Sequence, residues 1–156
     1  MATYNRADCL EQALSCLTRE LNEEIEIVVV DGASTANTES VVSRYGSLYS
    51  NIRYNRLPAK GGVDCYFDLA VEVATGAYCW LMADDDLDKP GAPAAVLKVL
   101  ERRPSLVVVK AEVWISDFTE LIEPRRLRIF EDRTYSASHL ETFGSIPRGT
   151  SHSLEQ

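Results

Sequence analysis

Hydrophobic positions fall into short blocks whose period changes along the chain. Leu10, Ala13, Leu14, Leu17 and Leu21 recur every three or four residues, which predicts a helix with one apolar face, capped by Asn5 or Asp8. Residues 25–30, β-branched apart from Glu26, form a run that reads as a strand buried on both faces. It ends at Asp31-Gly32-Ala33-Ser34-Thr35, where Gly32 permits a tight turn and Ser34, Thr35 or Asn37 caps a helix carrying Val41, Val42 and Tyr45. Residues 52–57 alternate as a strand does, residues 58–62 form a loop, and residues 63–74 a third helix. Tyr78-Cys79-Trp80-Leu81-Met82 reads as another buried strand, which Pro90 and Gly91 prevent from continuing. A helix over residues 92–102, with Ala95, Val96, Val99 and Leu100 facing inward, precedes a last strand over residues 106–113.

Strands alternating with helices imply right-handed crossovers and a mostly parallel sheet, so the fold class is α/β. There is no internal repeat and no low-complexity linker. The chain opens on a loop-like Thr3-Tyr4-Asn5-Arg6, where an α/β unit has a strand leading in, and closes on a polar, weakly patterned stretch. The expectation is a fragment: a domain over residues 1–135 lacking its first strand, a tail over residues 136–156, and a sheet incomplete at both ends. A shortened sheet exposes an edge that invites pairing, which leaves the oligomeric state open.

Composition narrows the function classes. The net charge of −8 argues against a general nucleic-acid binder, which needs a basic face. It leaves nucleotides admissible, because a metal brings a diphosphate to an acidic pocket. No apolar stretch is long enough to span a bilayer, and the first residues lack a signal-peptide core. Cys9, Cys16, Cys65 and Cys79 have no Cys-x-x-Cys spacing, and with only His139 and His152 beside them a zinc cluster is not expected. Cys9 and Cys16, seven apart on one helix face, read as small packing residues, and a reduced, cytoplasmic setting fits.

The chemistry concentrates at Asp84-Asp85-Asp86, just where the apolar run ends. Crowded carboxylates repel one another and need a cation, protons or full solvation. The two readings are a divalent metal site and a solvated acidic loop. In a parallel sheet the loops after the strands converge on one rim, which gathers residues 3–6, 31–34, 60–64 and 84–86. Together they offer a carboxylate for a base N–H, an aromatic ring to cover the base, and Arg or Lys for phosphate. Each has a bland alternative. Asp31 also suits a turn and cap, Asp64 the cap of the third helix, Tyr4 core packing, and Arg56 and Lys60 solvated charges.

These motifs resemble inverting family 2 glycosyltransferases of the GT-A fold, a three-layer α/β/α, Rossmann-like architecture. Thr3-Tyr4-Asn5-Arg6-Ala7 is similar to their first nucleotide-binding loop, and residues 26–34 to their second strand with its base-binding aspartate. Residues 80–86 with Pro90 resemble the aspartate-x-aspartate metal motif, with the register ambiguous by one. Gly61-Gly62-Val63-Asp64, followed by Asp68-Leu69-Ala70, resembles the abequosyltransferase-like branch of bacterial surface-polysaccharide enzymes. The resemblance implies a hexosyltransferase-type enzyme that moves a sugar from a nucleotide-diphosphate donor to a glycan, lipid-linked at the inner face of the cell membrane. It implies that Thr3 and Tyr4 line the base pocket, that Asp31 contacts the base, and that Asp64 lies near ribose or base. Asn5 belongs to the same nucleotide-binding loop, and Arg6 is a phosphate or structural contact. Asp84 and Asp85 approach ribose and diphosphate, while Asp86, with Asp84, holds Mn or Mg.

The family's catalytic carboxylate deprotonates the acceptor hydroxyl. Glu131, Asp132 and Glu141 are available carboxylates, but none sits in a motif that assigns this role. Arg125, Arg126 and Arg128 read as a solvated face or as contacts to an anionic lipid. A second function class is a nucleotide-sugar-binding module without turnover. A third is a receiver-like phosphoacceptor domain, for which Lys110 is suited but the late position of the acidic cluster is not.

Overall fold

The computed structural model describes residues 1–35, 37–107, 109, 111–115, 119–124 and 134. The chain divides into two compact units, Met1–Arg103 and Pro104–Gln156.

The first unit is built around β2 (Ile27–Asp31), all five residues of which are buried. It pairs in parallel with β1 (Ala2–Thr3) on one side and β3 (Ile52–Arg56) on the other, giving the order β1-β2-β3. A strand therefore does lead into Thr3-Tyr4-Asn5-Arg6, although it is two residues long. Side chains alternate across a strand, and β2 has a hydrophobic layer on each face. Ile27 and Val29 share one cluster with Leu10, Ala13 and Leu14 of α1 (Ala7–Leu17) and Val41 and Val42 of α2 (Thr38–Gly46). Val28 and Val30 share the other with Tyr66 and Ala70 of α3 (Val63–Val73). The result is the expected three layers. Leu10 and Leu14 are fully buried, and each contributes roughly 2 kcal/mol of apolar transfer.

Several expectations fail locally. Neither Asn5 nor Asp8 caps α1, whose N-cap is Arg6 with no side-chain cap bond. Asn37 does stand at the N-cap of α2, again without a side-chain bond. At the turn after β2, Ala33 takes the left-handed conformation (φ 67°) and Gly32 does not. Glycine is required at 32 for another reason, the close approach of Tyr66 described below.

Residues 78–82 are not a buried strand. Tyr78, Trp80 and Leu81 are exposed, and the run meets the sheet only at its end, through a bridge between Ala2 and Ala83 and the Ala2 amide donating to the Met82 carbonyl. β1 offers two residues to pair with, too few to recruit a full strand. In α4 (Ala92–Leu100) only Pro93 is buried; of the supposed inward face, Ala95 and Val99 are exposed and Val96 and Leu100 only half-buried.

In the second unit, the described part of residues 106–112 is not strand, and Leu106 is exposed. A continuous apolar run cannot by itself say whether a partner strand exists. Pairing occurs instead in an antiparallel hairpin of β4 (Val113–Trp114) and β5 (Leu121–Glu123). Lys110, Arg125, Arg126, Arg128, Glu131, Asp132, His139, Glu141, His152 and the 136–156 tail lie outside the described residues. No helix among the described residues is long and apolar enough to cross a membrane.

Glu26 ties the end of α3 to the sheet. Its Oε1 accepts from the Thr75 amide and hydroxyl (2.5 and 2.8 Å) and the Gly76 amide (2.9 Å), while Oε2 meets Arg53 at 3.2 Å. Burial pushes this carboxyl up, but the bonds from Thr75, Gly76 and Arg53 outweigh it and hold it below the usual range. Its stabilisation is present above the ordinary glutamate pKa and lost as pH falls through the lower folded value. Glu26→Gln is therefore expected to cost about 1 kcal/mol at neutral pH, with the gap to wild type closing below about pH 4 in urea titrations.

Candidate functional site

The loops following β1, β2 and β3, together with residues 83–86, do meet at one rim, and hydrogen bonds show how. Thr3, at the end of β1, is 2% exposed and donates its hydroxyl to Asp84 Oδ2 at 2.8 Å. Asn5 holds a left-handed backbone (φ 55°), which asparagine tolerates better than most residues. That bend lets its Oδ1 accept the Thr35 amide at 2.7 Å, while its own amide donates to Ser34 Oγ at 2.8 Å. Asn5 thus staples the first rim loop to the second. The chain then delivers Arg6 to the acidic triplet, where its guanidinium contacts Asp84 Oδ1 at 3.1 Å and Asp85 Oδ2 at 2.9 Å.

The three aspartates have different environments. Asp84 is buried, and burial pushes its carboxyl above the usual range. Thr3 and Arg6 oppose this shift, and the charge of Asp85 adds to it. Asp85 is half-exposed and paired with Arg6. The Asp85 hydrogen bond, ahead of the charges of Asp84 and Asp85, holds the guanidinium protonated against a burial penalty. Asp86 is exposed and accepts the Ala83 amide through Oδ2 at 2.8 Å, closing the turn.

Asp31 is 0% exposed, and its carboxylate is spent on its own turn and on β3. Oδ1 accepts the Ser34 amide (2.9 Å) and hydroxyl (2.5 Å), and Oδ2 accepts the Tyr54 phenol (2.5 Å). Arg56 Nε stands 3.7 Å from Oδ2, and its Nη2 donates to the Ser34 carbonyl at 2.8 Å. Burial, then the hydrogen bond to Asp31 and its charge, raise the Tyr54 pKa and keep the phenol a donor. Nothing local in the sequence singles out Tyr54, and Arg56, which the sequence offers as a phosphate contact or a solvated charge, is bound to the Asp31 turn. The signal was available in the parallel register, which sets Asp31 opposite Arg56, with Tyr54 two residues earlier on the same strand face.

Tyr4 packs partly buried on the α3 face of the sheet, with the Lys60 ammonium 4.4 Å from its ring centroid. Asp64 is exposed in the first turn of α3, whose N-cap is Gly62, and it makes no ion pair or hydrogen bond with the rim residues. Cys9 and Cys16 are half-buried, while Cys65 and Cys79 are exposed thiols. A cavity of 720 Å³ opens between the starts of α1 and α2; Asn5 and Arg6 line it, but Tyr4, Lys60 and the acidic triplet do not.

The donor set suits a hard divalent cation, because carboxylate oxygens are its ligands. No group of three His, Cys, Asp or Glu among the described residues forms a ready cage. Such cations are commonly held by one or two carboxylates plus substrate phosphates and water, and Asp85 and Asp86 are exposed enough to take part.

Residues 1–152 match the family model described as "Glycosyl transferase family 2". The chain is 30% identical over 127 residues to abequosyltransferase RfbV of Salmonella typhimurium, covering 80% of this chain and 38% of that protein. It is 23% identical over 106 residues to glycosyltransferase GlyG of Streptococcus pneumoniae serotype 4, covering 68% of this chain and 35% of GlyG. The chain thus spans well under half the length of the curated relatives it matches. Among solved structures, TarS residues 1–349 of S. aureus superposes with a TM-score of 0.61 at 24% identity, over 65% of this chain and 31% of that 1–349 chain. Mannosyltransferase PcManGT of Pyrobaculum calidifontis, solved with GDP-Man and Mn²⁺, gives 0.58 at 25% identity, over 70% of this chain and 32% of its own. Both likenesses support the mixed α/β fold with a parallel sheet.

Proposed function

Because the chain belongs to glycosyl transferase family 2, we propose that it carries the donor site of an enzyme moving a sugar from a nucleoside diphosphate to a glycan acceptor. The observation that carries this reading is the meeting of Thr3, Arg6, Asp84 and Asp85 at one rim, next to the exposed Asp86. In this reading the Tyr4 ring and the Gly32–Ser34 backbone border the base, with Asp31 acting through the turn it holds. Arg6 faces the diphosphate from its seat on Asp84 and Asp85. Asp86, with the exposed Asp85 in place of the buried Asp84 that the resemblance implies, would hold Mn²⁺ or Mg²⁺, which when bound neutralises charge on the departing diphosphate. Asp64 lies on the ribose side, on an exposed helix start.

The similarity to an abequosyltransferase favours a surface-polysaccharide acceptor, lipid-linked and met at the cytoplasmic membrane face. It also favours in-line displacement with inversion. The acceptor hydroxyl then requires a base, and no described residue is assigned that role.

Calorimetric titration with UDP, CDP and GDP, with and without Mn²⁺, tests the reading. One nucleotide is expected to bind in a metal-dependent manner, and Asp86→Asn is expected to weaken it by about tenfold, or ~1.4 kcal/mol. A folded chain that binds none of the three overturns the donor site. Binding that ignores both Mn²⁺ and the substitution removes the metal role of Asp86.

A further inference from the structure

We infer that Tyr66 is a positioning residue of the donor pocket, clamping the Gly61 backbone so that Lys60 stands over the Tyr4 ring with its ammonium available to a nucleoside diphosphate. The inference rests on the donor reading above and adds a residue and a cation that it leaves unassigned.

Tyr66 lies on the buried face of α3 and is 4% exposed. Its hydroxyl donates to the Gly61 carbonyl at 2.8 Å and accepts the Gly61 amide at 3.0 Å. Both bonds go to one residue, as a paired strand residue would make them, so the loop is held in orientation as well as position. The space for the hydroxyl comes from Gly32. A Cβ at residue 32 would lie 2.2 Å from the Tyr66 oxygen and 2.3 Å from Cζ, so only glycine leaves room there. At Gly61 a Cβ would meet the Tyr66 ring at 3.4 Å, so the steric demand is far weaker. The ring is thus wedged against the turn after β2 while it grips the loop after β3.

Lys60 adjoins the gripped residue, and its Nζ lies 4.4 Å from the Tyr4 centroid. The attraction of a half-solvated ammonium for a ring is smaller than the rotamer freedom a lysine gives up. The pair therefore needs a backbone origin that is already fixed, which the clamp provides. Charge points the same way. Of the cations at this rim, Arg6 is bound to Asp84 and Asp85, and Arg56 to Asp31 and the Ser34 carbonyl. Lys60 has an aromatic partner and no carboxylate partner among the described residues. A diphosphate entering beside Tyr4 finds this ammonium without breaking an ion pair.

The test is NMR of the full chain with assigned Lys60 side-chain protons, followed by nucleotide titration. In the wild type the Lys60 ε-methylene protons are expected upfield of free lysine, shifted by the Tyr4 ring. Tyr66→Phe keeps the ring in the core and removes only the hydroxyl. It is expected to return those protons to the free-lysine position with little loss of thermal stability. For whichever of UDP, CDP or GDP binds the wild type, Kd should rise about fivefold in Tyr66→Phe and in Lys60→Met. The double variant should be no weaker than Lys60→Met alone, since Tyr66 acts through Lys60. Lys60 protons that remain shifted in Tyr66→Phe overturn the clamp, and so do losses that multiply in the double variant. If none of the three nucleotides binds the wild type, the donor reading fails, while the Lys60 protons still decide the clamp.

Discussion

Asp31→Ala is expected to lower the unfolding free energy by roughly 3–5 kcal/mol, the loss typical of removing one partner from a buried, hydrogen-bonded charge network. The residue is 0% exposed and serves three donors on two chain segments: the Ser34 amide, the Ser34 hydroxyl and the Tyr54 phenol. Alanine leaves all three without that acceptor, the Ser34 groups in a buried turn and the Tyr54 phenol half-buried, and each orphan closed to water costs about 1–3 kcal/mol. Arg56 limits the damage, since it is half-exposed and can turn to solvent. Asp31→Asn keeps the shape and one oxygen and should lose only about 1–2 kcal/mol. Urea unfolding followed by circular dichroism measures both. A loss under about 1 kcal/mol for the alanine variant would show that the carboxylate does not hold the turn, and would return Asp31 to the direct base contact that family resemblance implies.

Arg6→Ala is expected to cost about 2 kcal/mol of stability. Asp84 is buried and already carries the burden of desolvation, which Arg6 and the Thr3 hydroxyl relieve. Without the guanidinium, one buried carboxylate keeps only the Thr3 hydroxyl and its own backbone amide beside the like charge of Asp85. The loss stays below that of a fully buried pair because Arg6 is itself 47% exposed, and solvent screens part of its charge. Arg6→Lys retains the charge but cannot bridge two carboxylates with a planar fork, so it should recover only part of the loss. Thermal denaturation at low and high salt measures this. An alanine variant as stable as wild type at both salt concentrations would mean that the Arg6 bridge contributes nothing to holding the acidic loop.

The parts of the fold that were legible are those whose pattern is set by near neighbours in the chain. The Leu10–Leu14 spacing placed α1, the valine run placed β2, and the alternation after Ile52 placed β3. The readings of residues 78–82, 92–102 and 106–113 failed for one shared reason. An apolar run reports what a segment is able to bury, and whether a neighbour covers it is a separate question. β1 is too short to pair the first of these, and Ala95 and Val99 of α4 stay exposed. At the site, the meeting of the rim loops was legible because loops after parallel strands share an edge. The inner connections were not. Nothing local in Tyr54 or Tyr66 marks a phenol whose partner is an aspartate 23 residues away or a glycine on the preceding loop.

The sequence by itself determined the alternation of strands and helices, the α/β class and the four loops that carry the chemistry. These depend on periodicity and turn residues, which act over a few positions. The tertiary structure decided which carboxylates are spent and which are open. It turned Asp31 inward onto Ser34 and Tyr54, buried Asp84 against Thr3, 81 residues away, and left Asp86 exposed. Burial and hydrogen bonding set the availability of a charge, and both depend on distances through space that spacing along the chain does not encode.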